Sequence, residues 1–116
     1  MVEVQVNIDC TDPDALREFY CAVLGYRVEG QAGEYRSCVP ADGATGPKII
    51  FQRVPEAKVV KNRMHFDVIV DDIEAEAARY VSLGATRVSA SPVCEHGGCW
   101  IVMLDPEGNE LCICDS

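Results

Sequence analysis

The chain has 116 residues, 48% of them apolar, which is one domain's length with enough apolar mass to build a core. A formal net charge of -9, with ten scattered Lys and Arg residues, argues against a nucleic-acid partner, because phosphate binding needs clustered cations. No apolar run approaches the ~18 residues of a membrane span and no leader pattern opens the chain, so the expectation is a cytoplasmic protein with no membrane partner.

In residues 2–9, Val2, Val4, Val6 and Ile8 alternate with Glu3, Gln5, Asn7 and Asp9, the pattern of a strand covered on one face. Asp12 is placed to cap a helix that Pro13 starts, Leu16, Phe19, Tyr20, Val23 and Leu24 follow at helical spacing, and Gly25 ends the run. Segments 26–29, 35–40 and 48–53, separated by Gly, Pro and Asp, read as three antiparallel strands. The first half is therefore β-α-β-β-β.

Residues 54–62, rich in Pro, Glu and Lys, read as an exposed connection. Next comes NRMHFDVIVDD, residues 62–72, an alternating strand with His65 at one of its polar positions. Aligned with the first half, Asp72 falls on Asp12, Tyr80 on Tyr20 and Leu83-Gly84 on Leu24-Gly25, with one residue inserted or deleted inside the helix. Segments 85–91, 99–104 and 110–114 supply three further strands, the last two joined by the turn Asp105-Pro106-Glu107-Gly108-Asn109. The expectation is an α+β chain, one domain over residues 1–116, built as module one (1–53), a linker (54–62) and module two (63–116).

Each helix must bury its apolar stripe on the Val and Ile face of its own sheet, which leaves the other sheet face to the polar residues. That face carries Gln5 and Asn7 in the first half, and His65, Asp67, Glu110, Cys112 and Cys114 in the second. A wet antiparallel face is one explanation. The residue types, with Ile69 and Trp100 nearby, suit a partly enclosed cavity better. The seven cysteines, with no CxxC pair, read as reduced thiols, most of them small buried apolar residues.

The repeat, ALREFYCAVLGY and DPEGNELCIC together resemble the glyoxalase/bleomycin resistance/dioxygenase group, the vicinal oxygen chelate superfamily, and in particular its small bacterial glyoxalase-like domain proteins. The resemblance implies two βαβββ modules forming a curled mixed sheet around a U-shaped cleft, helices on the outer face, in a homodimer. In metal-using members the first and last strands of each module supply four ligands. Carried over by position these are Gln5, Ile49, His65 and Glu110, of which Ile49, flanked by Lys48 and Ile50, is no ligand. The implied cofactor is one divalent metal, Zn, Ni, Fe or Mn, held by Gln5, His65 and Glu110, with Glu110 also the candidate catalytic base.

Several residues stay open to two readings. His65 is either a cleft ligand or a strand histidine satisfied by Asp67 or a backbone carbonyl. Glu110 is either ligand and base or a surface strand end. His96, in the Gly-rich CEHGGCW, is a loop histidine at the cleft rim, and Trp100 is either an aromatic wall or a half-buried core residue. Lys58, Lys61 and Arg63 form the one basic cluster, set to brace the linker against Asp71 or Asp72. Asn7, Asp67, His96, Trp100 and Cys112 are the candidate cleft residues. Two functions compete: metal-assisted lyase, isomerase or dioxygenase chemistry, and metal-free sequestration of a small molecule as in bleomycin-resistance proteins.

Overall fold

Asp12 starts the first helix by accepting a hydrogen bond from the Ala15 amide through its carboxylate at 3.1 Å, which satisfies one of the four amides a helix start leaves open. In the computed structural model, which describes all 116 residues, this helix is α1, Pro13–Leu24, flanked by strands β1 (Gln5–Cys10), β2 (Tyr26–Ala32), β3 (Tyr35–Pro40) and β4 (Lys48–Arg53). Gly25 stops it with φ of 67°, a left-handed turn that costs glycine nothing. Leu16, Phe19, Tyr20 and Val23 are buried against the sheet. Tyr20 stacks on Phe51 of β4 at 5.9 Å between ring centres, and Phe19 meets Tyr20 edge-on at 5.0 Å.

The four strands lie in the order β1-β4-β3-β2, with β1 parallel to β4 and the other neighbours antiparallel. The strand expected over 2–9 begins only at Gln5, whose partner Lys48 is the first residue of β4. Pro47, just before it, has no amide to continue a ladder, so Val2 and Val4 are left outside and exposed. β2 runs three residues past its expected end, because a bulge at Glu29 shifts its register on β3 from Val28–Cys38 to Gly30–Ser37. The Arg17 guanidinium donates to the Gly30 carbonyl at 2.9 Å beside that bulge.

These residues belong to a compact unit, Met1–Lys58; a second spans Val59–Ser116. The second repeats the plan: β5 (Phe66–Ile69), helix α2 (Ile73–Ser82) capped by Asp72, then β6 (Thr86–Arg87), β7 (Val93–Glu95), β8 (Gly98–Leu104) and β9 (Glu110–Cys114). α2 is ten residues against twelve in α1, and Gly84 follows its cap at Leu83. Its sheet runs β5-β9-β8-β6, and the first and last strands again pair in parallel. Ile101, Met103, Leu111 and Ile113 are buried on the face that α2 covers with Ala77 and Tyr80, each large side chain contributing roughly 2 kcal/mol.

Three expectations change here. β5 is four residues long, so His65 stands just before the strand rather than inside it. The strand expected over 85–91 is only the two residues of β6, and a further strand, β7, follows beyond it; both pair with β8. Pro92, which lacks an amide and biases Ser91 away from regular geometry, separates them. Third, Cys94 and Cys99 form a disulfide, so the reading of reduced thiols fails for that pair; β7 and β8 set them directly opposite, 4.1 Å apart at Cα. The turn Asp105–Asn109 forms as expected, with the buried Asp105 carboxylate accepting from the Glu107 and Asn109 amides and from the Asn109 side chain at 2.8–2.9 Å.

Candidate functional site

On β9, Leu111 and Ile113 face α2, which turns Cys112 and Cys114 to the other side of the sheet. The registers then fix their neighbours. Asp67 of β5 lies beside Cys112, and Trp100 of β8 beside Cys114. The β7–β8 hairpin turns through His96 and Gly97, both at positive φ (52° and 83°), the geometry that two-residue hairpins favour and that glycine, and less readily histidine, tolerates. The turn places Glu95 and His96 at one end of this face.

Together these residues enclose an open cavity of about 420 Å³. Its lining includes five candidates from the sequence, His65, Asp67, His96, Trp100 and Cys112, and also Glu95, Gly98, Cys99, Cys114 and Ser116. Within it His65 Nε2 is 3.3 Å from Asp67 Oδ1. His65, Asp67 and Cys112 bring one imidazole nitrogen, one carboxylate oxygen and one sulfur all within 4.8 Å of one another. Burial raises the Cys112 thiol above its ordinary value, the Asp67 carboxylate adds to the rise, and Lys61 opposes it. Cys114 is raised in the same way, by burial first and then by Asp67.

Glu110 sits at the start of β9, outside the cavity lining. Its Oε2 accepts from the Asn62 amide at 2.9 Å, and the Asn62 side chain donates to Asn109 at 3.1 Å. Asp72, a proposed partner of the basic cluster, is used as the cap of α2 instead, accepting from the Ala75 amide at 3.0 Å. Cys112 is the β9 residue whose sulfur lies within 4.8 Å of the His65 and Asp67 donor atoms.

Gln5 and Asn7 lie in the first unit on the sheet face that α1 leaves open. The residue beside Gln5 on that face is Lys48; Ile49 pairs with Val6 and is 1% exposed in the core. Lys48 Nζ is 2.7 Å from Glu29 Oε1, and the buried Ser37 hydroxyl donates to the same oxygen at 3.1 Å. Asn7 donates to Gln52 at 3.3 Å. Glu29, the bulge residue, is thus a carboxylate on this face that alternation did not reveal, since a bulge breaks the alternation itself. In the second unit the overlooked wall is the hairpin with Glu95. Its signal was present as His96-Gly97 between two short runs.

The profile of the Glyoxalase-like domain family matches residues 5–114. No curated protein matches the sequence. Among solved structures, a glyoxalase/bleomycin resistance protein/dioxygenase family enzyme from Burkholderia phytofirmans is similar at a TM-score of 0.76 and 23% identity, over 95% of this chain and 94% of that one. A fosfomycin resistance protein from Mesorhizobium loti gives 0.74 at 16% identity, over 100% and 94%. A bleomycin resistance determinant encoded on a transposon gives 0.66 at 18%, over 100% and 98%. At these identities the likeness establishes the fold.

Proposed function

The chain belongs to the glyoxalase-like domain family, within the glyoxalase/bleomycin resistance/dioxygenase superfamily, and from that premise we propose that it binds a small organic molecule in the cavity of its second unit. The observation that carries this reading is the composition of the cavity: one aromatic side chain, Trp100, lines it together with a convergent imidazole, carboxylate and thiol in about 420 Å³. The net charge of -9 favours a cationic ligand, and sequestration without chemistry is sufficient to account for these features. A homodimer in the cytoplasm is part of the same proposal.

Trp100 is the only tryptophan, so its fluorescence reports occupancy directly. A thermal-shift screen of cationic and carbonyl-bearing small molecules should yield hits that also change that fluorescence. The same hits should be weakened by His65→Ala. Stabilisation that leaves the Trp100 signal unchanged would move the binding site elsewhere and sink the proposal.

A second reading is favoured by the His65–Asp67 pair, because a carboxylate on one ring nitrogen orients the other toward a metal. Here His65 and Glu110, both in the second unit, would supply ligands to one divalent ion. Such an ion, when bound, supplies Lewis-acid polarisation of a carbonyl or a vicinal hydroxyl pair. The chain's own part is then Glu110, whose carboxylate, held in place by the Asn62 amide, takes a proton from the carbon next to that group in lyase or isomerase chemistry. Loss of metal in His65→Ala and Glu110→Ala is the result this reading requires.

A further inference from the structure

We propose that His65, Asp67 and Cys112 together form a three-donor site for a borderline divalent cation of the zinc class, with its open coordination position toward the cavity. The site shares only His65 with the set that the family resemblance implies. It is complete within the second unit and does not depend on the small-molecule reading.

The geometry supports it on three grounds. First, the 3.3 Å between His65 Nε2 and Asp67 Oδ1 equals the edge of a tetrahedron whose metal–nitrogen and metal–oxygen bonds are ~2.0–2.1 Å. Second, the sulfur lies within 4.8 Å of both, against roughly 3.6 Å in a formed site with a ~2.3 Å metal–sulfur bond. His65 and Asp67 are 36% and 58% exposed, so their side chains can rotate to close that gap while Cys112 stays fixed in the sheet. Third, the parallel register of β5 on β9 places Asp67 directly beside Cys112, so two of the donors are set by backbone pairing rather than by a loop.

The donor chemistry selects the ion. A thiolate and a carboxylate neutralise a divalent charge, and the imidazole adds a third ligand without charge. Sulfur with imidazole suits zinc and cobalt and rejects magnesium and calcium, which take oxygen ligands. Cys114, two residues along the same face, lies beside the site and is the control for whether any thiol will serve.

The experiment uses the untagged full chain, freed of metal and titrated with Co²⁺ and then with Zn²⁺ in competition. The expected result is one equivalent bound, a thiolate-to-cobalt charge-transfer band, and the visible intensity of a tetrahedral ion. Cys112→Ser should abolish the charge-transfer band. His65→Ala and Asp67→Asn should each weaken binding by roughly 10-fold or more, at least what is lost when a ligand's supporting partner is removed. Cys114→Ser, Gln5→Ala and Glu110→Ala should keep the band. Circular dichroism and the metal-induced rise in melting temperature, read on every variant, separate loss of the site from loss of the fold. Absence of the band in the parent chain overturns the proposal, as does a band that survives Cys112→Ser. Binding lost in Gln5→Ala and Glu110→Ala but retained in Asp67→Asn would overturn it in favour of the family arrangement, and ligand binding without any metal would leave the small-molecule reading standing alone.

Discussion

The two units carry the same strand and helix plan and put it to different uses on the face their helices leave open. In the first unit that face is closed by its own partners: Lys48 with Glu29, Ser37 with Glu29, Asn7 with Gln52. In the second unit the corresponding face holds a cavity where an imidazole, a carboxylate and a thiol converge beside a tryptophan. A repeated topology thus fixes where polar side chains point and leaves open whether they satisfy one another or a ligand. Where the first unit has one bulged strand, β2, along β3, the second has β6 and β7 along β8, and the β7–β8 hairpin forms one wall of the cavity.

The comparison is broken most severely through the cores. Leu16 in the first unit and Ile113 in the second are both fully buried, so Leu16→Ala and Ile113→Ala should each lower stability by about 2–5 kcal/mol in denaturant unfolding. A large loss for one and almost none for the other would mean that only one unit carries the fold.

Alkaline pH gives the next effect. Cys38 in the first unit is pushed up to about 12 from an ordinary 9.0, by burial first and then by the Cys21 thiol. Tyr80 in the second is pushed up to about 12 from 10.0, by burial first and then by the Glu76 carboxylate. In both cases the folded state keeps a proton that the unfolded chain gives up. The stabilisation is therefore complete below the ordinary value and is lost as pH rises toward 12, at up to about 1.4 kcal/mol per pH unit for each group. Melting temperatures between pH 8 and 11 should fall, and Cys38→Ala should reduce the part that begins near 9, to which Cys112 and Cys114 also contribute, ahead of the Tyr80 part.

The caps should behave as a matched pair. Asp12 and Asp72 each accept from the amide three residues on, at 3.1 and 3.0 Å, so Asp12→Ala and Asp72→Ala should each cost about 1 kcal/mol, measured by chemical unfolding. The smallest effect concerns Glu29. Lys48 and then Ser37 hold its carboxyl below the ordinary 4.5, so the pair contributes above that pH and its contribution is lost as pH falls through the lowered value. Lys48→Met should flatten the acid limb of the stability profile through a small loss at neutral pH, with stability below the lowered value nearly unchanged. A marked loss at neutral pH would show the open face of the first unit to be a structural element in its own right.

Much of this was legible in the chain because it is local. Asp12-Pro13, Gly25, Asp72 and the Asp105–Asn109 turn announce themselves within a few residues, and strands β3, β4 and β9 begin and end where alternation and punctuation place them. What was not legible depends on partners distant in sequence. The start of β1 is set by where β4 begins, and the residue beside Gln5 is Lys48 rather than Ile49 because of a parallel register that no periodicity encodes. Asp67 and Cys112 become neighbours through the same kind of pairing, so the His65–Asp67–Cys112 cluster was invisible as a group although each member had been singled out. The Cys94–Cys99 bond followed from a hairpin whose turn residues and second strand were in view and whose first strand, β7, was not recognised.

The parallel pairing of each unit's first strand with its last has a consequence for how the chain acquires its shape. β1 meets β4, and β5 meets β9, only after the ribosome has added roughly 40 further residues, so loop closure must precede that contact. The helix and the antiparallel strands can form early from neighbours in sequence, while the opening strand waits with its edge uncovered. Asp67 belongs to such a waiting strand and Cys112 to the strand it waits for. The cluster they share with His65 is therefore among the last things the second unit assembles, and a cation captured there would reward completion of the sheet.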